Sequence, residues 1–212
     1  MVMADSTDIA FTKVRMAHGW LGNMAPFPIQ ADGRLWRTSE ALFHARRFTD
    51  AEAIDAIHGA TSPMQAKLIA KAHASKMVIE PRSAADVDNM RSVLRLKIDQ
   101  HPQLKAMLLD THGRIIEDCS ARPTAIFWGA RRTSDGWEGQ NMLGVLWMEL
   151  RDQLRHELSD RTADLFASTR MAPPRSTELV CRKCSTPSGR VTAVDMGAGR
   201  SWCHVCGEEL VS

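Results

Sequence analysis

Four of the five cysteines lie in the last 32 residues, as two pairs whose members are each separated by two residues. Cys181 pairs with Cys184 and Cys203 with Cys206, and 18 residues separate the two pairs. Two such turns supply four thiolates to one tetrahedral metal ion, so the spacing predicts a zinc ribbon over residues 179–212. Because four protein ligands leave no open coordination position, we expect a structural zinc ion.

The redox environment decides between zinc and disulfides at these cysteines. The first residues lack the basic segment, apolar stretch and cleavage site of an export signal. The longest stretch without a polar side chain, residues 142–148, is far shorter than the roughly 20 residues that cross a bilayer. We therefore expect a cytoplasmic protein with no membrane partner, in which zinc is favoured over disulfides.

Proline marks the boundary between this tail and the rest of the chain. Pro173 and Pro174 end any preceding helix, which predicts a linker at residues 171–178 after a domain over residues 1–170. At 212 residues, with 44% hydrophobic and 25% charged residues, the chain fits one globular domain with a small appendage.

The pattern of residues 1–170 is typical of a helix-rich α+β domain. Helices are predicted to begin at caps or first-turn prolines: Thr38, Ser62-Pro63, Ser83 and His101-Pro102. Gly113 is predicted to end the last of these, and a long amphipathic helix runs from Asn141 through Leu158. Short strands are predicted over residues 114–118 and 125–128, and the Gly- and Arg-rich segment 129–140 has the composition of a binding loop.

Glu40 lies in the first turn of the helix predicted after Thr38, beside Trp36. Such a carboxylate ordinarily compensates the helix dipole or caps the helix. Taken alone, it leaves the structural and the catalytic interpretations open.

Seven segments in fixed order add to this observation: Gly19–Ile29, Asp32-Gly33, Trp36–Phe48, Ser62–Lys67, Trp128-Gly129, Asn141-x-Leu143-Gly144 and Met148–Arg151. Together they resemble the NADAR family, the YbiA-like N-glycosidases, over about residues 14–158. No single segment carries the resemblance.

The resemblance implies a hydrolase that cleaves the bond between C1 of a phosphorylated ribose and a nitrogen. Its substrate would be a small ribosylamine phosphate or an ADP-ribosyl group on a base, and no organic cofactor is expected. Glu40 would be the catalytic carboxylate, with its pKa raised toward neutrality by burial. The residues expected to bind substrate are Asn23, Trp36, Arg47, Lys67, Trp128, Gly129, Asp135 and Asn141.

Each of these residues has an expected role and a structural alternative. Asn23 could hold ribose hydroxyls, and Trp36 or Trp128 could stack on the leaving ring. Phosphate oxygens could bind Lys67 or a set of arginines, Arg47, Arg131 and Arg132. The tryptophans are equally typical of core anchors, Asn23 of a turn residue, and the cations of a solvated face.

The chain departs from the family pattern at several positions. Family members carry an Asp three residues before the Trp-Gly pair, where this chain has Ala125, so an acidic helper is missing. Asp118, Asp135 or Glu138 could supply the lost carboxylate. Family residues are also replaced at Ala41, Leu42, Arg47 and Arg82, and the insert over residues 131–138 is longer.

Two further functions stay open at this point. The missing Asp is consistent with a module that binds ADP-ribose or a nucleotide without cleaving it. A nucleic-acid adaptor acting through the ribbon has weaker support, because the net charge is +2 and residues 171–212 carry five Lys or Arg against four Asp or Glu. Cys119, outside the ribbon, is either a reactive thiol or, more commonly, a small buried apolar residue.

Overall fold

A computed structural model of the protein describes residues 8–122, 124–168, 201–202 and 209–210. By their contacts, the residues divide into two compact units, 1–159 and 160–212. The four ribbon cysteines and the predicted linker lie outside the described residues. Within the described part, no helix combines the length and the apolar character that crossing a membrane requires.

The first unit is a mixed helix and sheet fold. Its helices are α1 Ser39–Ala45, α2 Ala51–His58, α3 Pro63–Ala72, α4 Ala84–Gln100, α5 Pro102–Leu109 and α6 Met142–Ser168, the last of which continues past residue 159. The strands of the described residues are β1 Ile9–Phe11, β2 Ile29–Ala31, β3 Arg34–Trp36, β4 Ile115–Glu117, β5 Arg131–Thr133, β6 Gly136–Glu138, β7 Ser201–Trp202 and β8 Glu209–Leu210.

The strands form four two-stranded ribbons in the described part of the chain. Strands β1 and β4 are parallel, with Phe11 opposite Glu117, whereas the other three pairs are antiparallel. Asp32 and Gly33 join β2 to β3 with φ angles of 53° and 73°. Positive φ at both central residues is the signature of a type I′ hairpin turn, which suits an Asp-Gly pair.

The predicted helix starts are confirmed. The hydroxyl groups of three N-cap residues each accept a backbone N–H from the first turn: Thr38 from Ala41, Ser62 from Gln65, and Ser83 from Asp86. Pro63 and Pro102 are the first residues of α3 and α5. Helix α4 ends at Gln100, as the His101-Pro102 pair predicts.

Two predictions of local structure are wrong. Helix α5 ends at Leu109, before Gly113. Residues 125–128 form a turn and not a strand, because their carbonyls are used elsewhere: those of Phe127 and Trp128 accept the N–H groups of Met142 and Leu143 at the start of α6. The backbone N–H groups at the start of α6 thus bind the carbonyls that a neighbouring strand would otherwise bind.

The segment 129–140 contains a β-hairpin rather than an irregular loop. Strands β5 and β6 pair Arg131 with Glu138, and the two side chains form an ion pair of 2.8 Å. The Arg132 guanidinium lies 4.8 Å from the centre of the Trp137 ring. Two of the cations expected to bind phosphate therefore have partners within the hairpin.

Helix α1 lies at the centre of the first unit, where all seven of its residues are buried. It packs against α2, α3 and α4. Apolar residues such as Leu42 and Phe43 account for this burial, but Glu40 and His44 share it. Ionisable side chains on such a helix need partners. Cys119 is also buried, at 1% exposure, as a small apolar residue would be.

A second ionisable group, Lys97 of α4, is completely buried. Its Nζ donates hydrogen bonds to the carbonyls of Trp20, at 2.6 Å, and Gly22, at 3.1 Å. The rings of Phe27 and Trp147 lie near the same nitrogen. Lys97 thus fixes the backbone of the segment that leads to Asn23, and burial lowers its pKa to about 7.

Replacing Lys97 by Met is expected to destabilise the fold by about 1–3 kcal/mol for each carbonyl left without a donor. Between about pH 7 and the ordinary value of 10.5, the unfolded chain keeps a proton that the folded chain has released. The free energy of unfolding of the wild type should therefore rise with pH in this window relative to the variant. Urea unfolding at pH 7 and pH 9 measures both effects. Exposed Lys71→Met is the control, and equal pH dependence in wild type and Lys97→Met would contradict the assignment.

Candidate active site

Helix α1 presents two ionisable side chains on one face, because Glu40 and His44 are four residues apart. The Thr38 cap fixes the start of the helix, and the Glu40 N–H donates to the carbonyl of Asn23 at 3.0 Å. The N-terminal end of α1 is therefore hydrogen-bonded to the Gly19–Ile29 segment. This bond brings two of the family-like segments together at Glu40.

The Glu40 carboxylate is buried, with 8% of the residue exposed, and lies between two nitrogen groups. Its Oε1 lies 3.1 Å from His44 Nε2 and 3.9 Å from Lys67 Nζ. His44 is also buried, whereas 47% of the Lys67 side chain is exposed. The carboxylate therefore contacts a buried histidine and lies 3.9 Å from a lysine whose side chain is partly exposed.

A chain of hydrogen bonds behind Glu40 fixes the orientation of His44. Arg47 Nη1 lies 3.2 Å from His44 Nδ1, and since an arginine can only donate, Nδ1 is the acceptor. The proton of the neutral ring is then on Nε2, where it is donated to Glu40. Arg47 is held in turn by two hydrogen bonds to Asp86, of 2.8 and 2.7 Å.

The pKa of Glu40 is lower than its ordinary value. Burial alone raises it, but the hydrogen bond and electrostatic interaction with His44, together with the positive charges of Lys67 and Arg47, outweigh burial. The expectation that burial would raise this pKa toward neutrality is therefore wrong. Glu40 is ionised at neutral pH, which suits a residue that stabilises positive charge.

Two polar atoms next to Glu40 have no hydrogen-bond partner among the described residues. They are Asn23 Oδ1 and Ser39 Oγ, in residues that are 8% and 0% exposed. The Asn23 amide nitrogen lies 3.2 Å from the sulfur of Met90, which is a weak acceptor. Buried polar atoms without partners are rare in folded proteins and indicate a place where a ligand could supply the missing bond.

The two tryptophans expected to stack on a base occupy different environments. Trp36 is 3% exposed, donates its Nε1–H to the carbonyl of Ala31 and packs edge to face against His58. It is a core residue. Trp128 is half-buried and packs edge to face against Phe43 of α1, with ring centres 5.6 Å apart. Trp128 is therefore adjacent to the helix that carries Glu40.

Other expected substrate-binding residues lie away from the Glu40 carboxylate or have structural partners. Arg47 is buried and held by Asp86, so the structure places it behind His44 and not toward a phosphate. Asp135 is exposed in the turn between β5 and β6. Gly129 and Asn141 are buried and contact the backbone of β4. Of the expected cations, Lys67 alone contacts Glu40 in the described residues.

Glu117 was missed by the sequence analysis, which considered its neighbour Asp118. It is half-buried at the end of β4 and forms a 3.0 Å ion pair with Arg122. Burial raises the pKa of Glu117, Arg122 opposes the rise, and the charge of Glu40 adds to it. The available signal was its position directly after Ile115 and Ile116, since the end of a buried strand often carries functional residues.

Comparison with known proteins covers the region that contains these residues. The N-glycosidase YbiA of Escherichia coli K12 is 36% identical over 159 residues, 74% of this chain and 93% of that protein. The N-glycosidase YbiA of Shigella boydii is 35% identical over 157 residues, with the same shares. A chloroplastic riboflavin biosynthesis protein PYRR of Zea mays is 29% identical over 160 residues, which are 69% of this chain and 25% of that protein.

The solved structures show the same relationship. The NMR structure of the E. coli protein YbiA matches with a TM-score of 0.60 and 35% identity, covering 74% of this chain and 89% of that chain. Residues 10–155 match the NADAR domain family. This match spans more than half of the sequence and contains Glu40, His44, Lys67 and Glu117. The chain therefore belongs to the NADAR domain family.

Proposed function

We propose that this protein is an N-glycosidase-like hydrolase that cleaves the bond between C1 of a phosphorylated ribose and a nitrogen leaving group. Substrates of this class are ribosylamine phosphates and ADP-ribosyl groups on a base. The names of the YbiA relatives support the reaction class. The observation that carries the proposal is the buried, ionised Glu40 held between His44 and Lys67.

The chemistry requires negative charge near the anomeric carbon. As the bond from C1 to nitrogen breaks, positive charge develops on the sugar ring, and a fixed carboxylate stabilises it. Glu40 is suited to this role because His44 and Lys67 keep it ionised, and His44 holds it in place. The water that attacks C1 then loses a proton, which Glu40 can accept.

The same surroundings suggest how the substrate is held. Asn23 Oδ1 could accept a hydrogen bond from a ribose hydroxyl, and Ser39 Oγ could accept or donate one, which would satisfy two buried atoms. Lys67 is accessible for a phosphate oxygen, whereas Arg47 is buried and Arg131 is paired with Glu138. Trp128 offers an aromatic ring for the leaving base.

A non-catalytic binding module is the second candidate, supported by Ala125 at the position of the family Asp. Isothermal calorimetry with ADP-ribose, combined with mass spectrometry of the products formed from ribosylamine phosphates and ADP-ribosylated DNA, separates the two functions. Saturable heat without any released base or amine would favour the binder.

The reaction itself is tested by incubating the full-length protein with ribosylamine phosphates, NAD and ADP-ribosylated DNA. We expect a ribose phosphate or ADP-ribose and a free amine or base from at least one of them. Binding to the DNA that is lost on truncation after Met171 and falls steeply with salt, without product, would instead support the adaptor function.

We also propose that Cys181, Cys184, Cys203 and Cys206 bind one structural zinc ion. Strands β7 and β8, which pair Trp202 with Glu209, flank Cys203 and Cys206 in the sequence and are consistent with this proposal. Two Cys-x2-Cys pairs supply the four thiolates that a structural zinc ion requires.

Elemental analysis of the purified, zinc-reconstituted chain is expected to give one zinc per chain. Replacing Cys203 and Cys206 by Ser should reduce zinc well below one, because two ligands cannot hold the ion. Chelation should expose the tail to proteolysis without abolishing turnover by the first unit. Sub-stoichiometric zinc in the reconstituted wild type would contradict the proposal.

A further inference from the structure

Three of the family-like residues converge on the backbone of β4. Asn141, which has a left-handed φ of 51°, accepts the Glu117 N–H at 3.0 Å through Oδ1 and donates to the Ile115 carbonyl at 2.8 Å through Nδ2. One side chain thus satisfies backbone groups on both sides of Ile116. This arrangement fixes β4 as a neighbouring strand would.

Two glycines allow their segments to pack closely against the backbone of β4, because a side chain at either position would collide with it. A Cβ atom on Gly129 would lie 2.5 Å from the Glu117 carbonyl oxygen, and one on Gly144 would collide with the Ile115 carbonyl. The N–H of Ala130 also donates to the Glu117 carbonyl at 2.9 Å. Gly129, Asn141 and Gly144 therefore act together to hold the backbone at Glu117.

The side chain that this support positions faces charged groups from three elements. Glu40 of α1 and Lys67 of α3 both act on the Glu117 carboxyl, and Arg122 contacts it directly. Glu40 and Lys67 are themselves 3.9 Å apart. Burial and the charge of Glu117 raise the pKa of Cys119, two residues farther along the chain. The two glutamates and Lys67 thus form one electrostatic cluster.

We propose that Glu117 is the second carboxylate of the active site, the acid that protonates the departing nitrogen. This inference rests on the proposed function. It explains why the chain tolerates Ala125, since the acid comes from the end of β4 instead. The pKa shifts of the two carboxyls are opposite, lowered at Glu40 and raised by burial at Glu117, which is consistent with a charged group and a proton donor.

The proposed step conserves atoms and charge. The bond from C1 to nitrogen breaks with its electron pair on nitrogen, which takes the proton from Glu117. A water oxygen bonds to C1, and its released proton passes to Glu40. The products are a ribose with a hydroxyl at C1 and a free amine. Proton exchange with solvent then returns Glu40 to the carboxylate and Glu117 to the acid.

The activity test uses Glu117→Gln and two substrates, the 5-phosphoribosyl derivatives of aniline and of 4-nitroaniline. Aniline is the more basic leaving group and depends more on a proton donor. We expect kcat/KM to fall about 10²- to 10⁴-fold with aniline and much less with 4-nitroaniline. The alkaline fall of the wild-type pH profile, where Glu117 loses its proton, should disappear. Exposed Glu52→Gln is the control that should leave both rates unchanged.

A second measurement needs no turnover. Carbon-13 NMR titration of the glutamate carboxyls, assigned with Glu117→Gln, should show Glu117 titrating above the ordinary glutamate range. In Glu40→Gln its pKa should fall, because the negative charge of Glu40 is gone. Two results would overturn the assignment of Glu117 as the second carboxylate. One is a Glu117 pKa that is the same in Glu40→Gln and in the wild type. The other is full activity of Glu117→Gln on both substrates with the wild-type pH profile. Wild type that releases no amine would contradict the proposed function, and the titration would still decide whether the carboxyls share a site.

Discussion

Replacing Glu40 by Gln is expected to lower kcat/KM for cleavage of the ribosyl–nitrogen bond by at least about 100-fold. The amide keeps the shape of the side chain and can still accept the hydrogen bond from His44 Nε2. It carries no negative charge, so the positive charge that develops at C1 loses its stabilisation. Product release measured by chromatography, with thermal unfolding of the same samples, gives both activity and stability.

The control for this variant is Glu52→Gln on α2, where the carboxylate is 79% exposed and pairs with Lys76. It removes a glutamate charge at the surface and should leave kcat/KM unchanged. We expect the unfolding temperature of Glu40→Gln to stay close to that of the wild type. Full turnover by Glu40→Gln would eliminate the role assigned to this carboxylate.

Replacing Asp86 by Ala is expected to destabilise the protein by about 3–5 kcal/mol, because it leaves the buried Arg47 guanidinium without its counter-ion. Asp86 is 0% exposed, and it also accepts the backbone N–H of Arg82 at 2.8 Å. The free energy of unfolding from urea denaturation measures the loss. Since Arg47 orients His44, the variant should also lose activity under conditions in which it remains folded.

The matched control is Asp55→Ala, which removes the partner of Arg34 at the surface, where 62% of the Asp55 side chain is exposed. Its cost should be about 0–1 kcal/mol. The double replacement of Arg47 by Met and Asp86 by Leu should recover part of the stability, since no buried charge is left unpaired. Equal losses in the free energy of unfolding for Asp86→Ala and Asp55→Ala would show that the buried ion pair stabilises the protein no more than the exposed one.

Local sequence signals predicted the helices of the first unit well. Thr38, Ser62 and Ser83 each cap a helix where expected, because capping depends on residues within one turn. The prediction of a strand at residues 125–128 was wrong because the partners of this segment are distant in sequence. The carbonyls of Phe127 and Trp128 accept N–H groups at the start of α6, 15 residues farther along the chain, and such a distant partner leaves no local pattern.

The candidate active site was predictable only in part. Glu40 and Lys67 were identified through the family resemblance, and the structure brings them together. The partners of Arg47 could not be foreseen, because Asp86 is 39 residues away and nothing in a periodic pattern pairs two charges at that separation. Asn141 and Gly129 were expected at the substrate, yet they hold β4. Both residues act by holding the backbone of another segment, and only the fold shows which segment that is.

The most direct test of the central claim is hydrolysis in water labelled with oxygen-18, using the full-length protein and a substrate from the panel that it cleaves. Mass spectrometry then locates the label. Attack at C1 beside Glu40 predicts one labelled oxygen at C1 of the released ribose, a free amine or base, and loss of both products in Glu40→Gln. Label on phosphorus, or equal product from Glu40→Gln, would contradict the account.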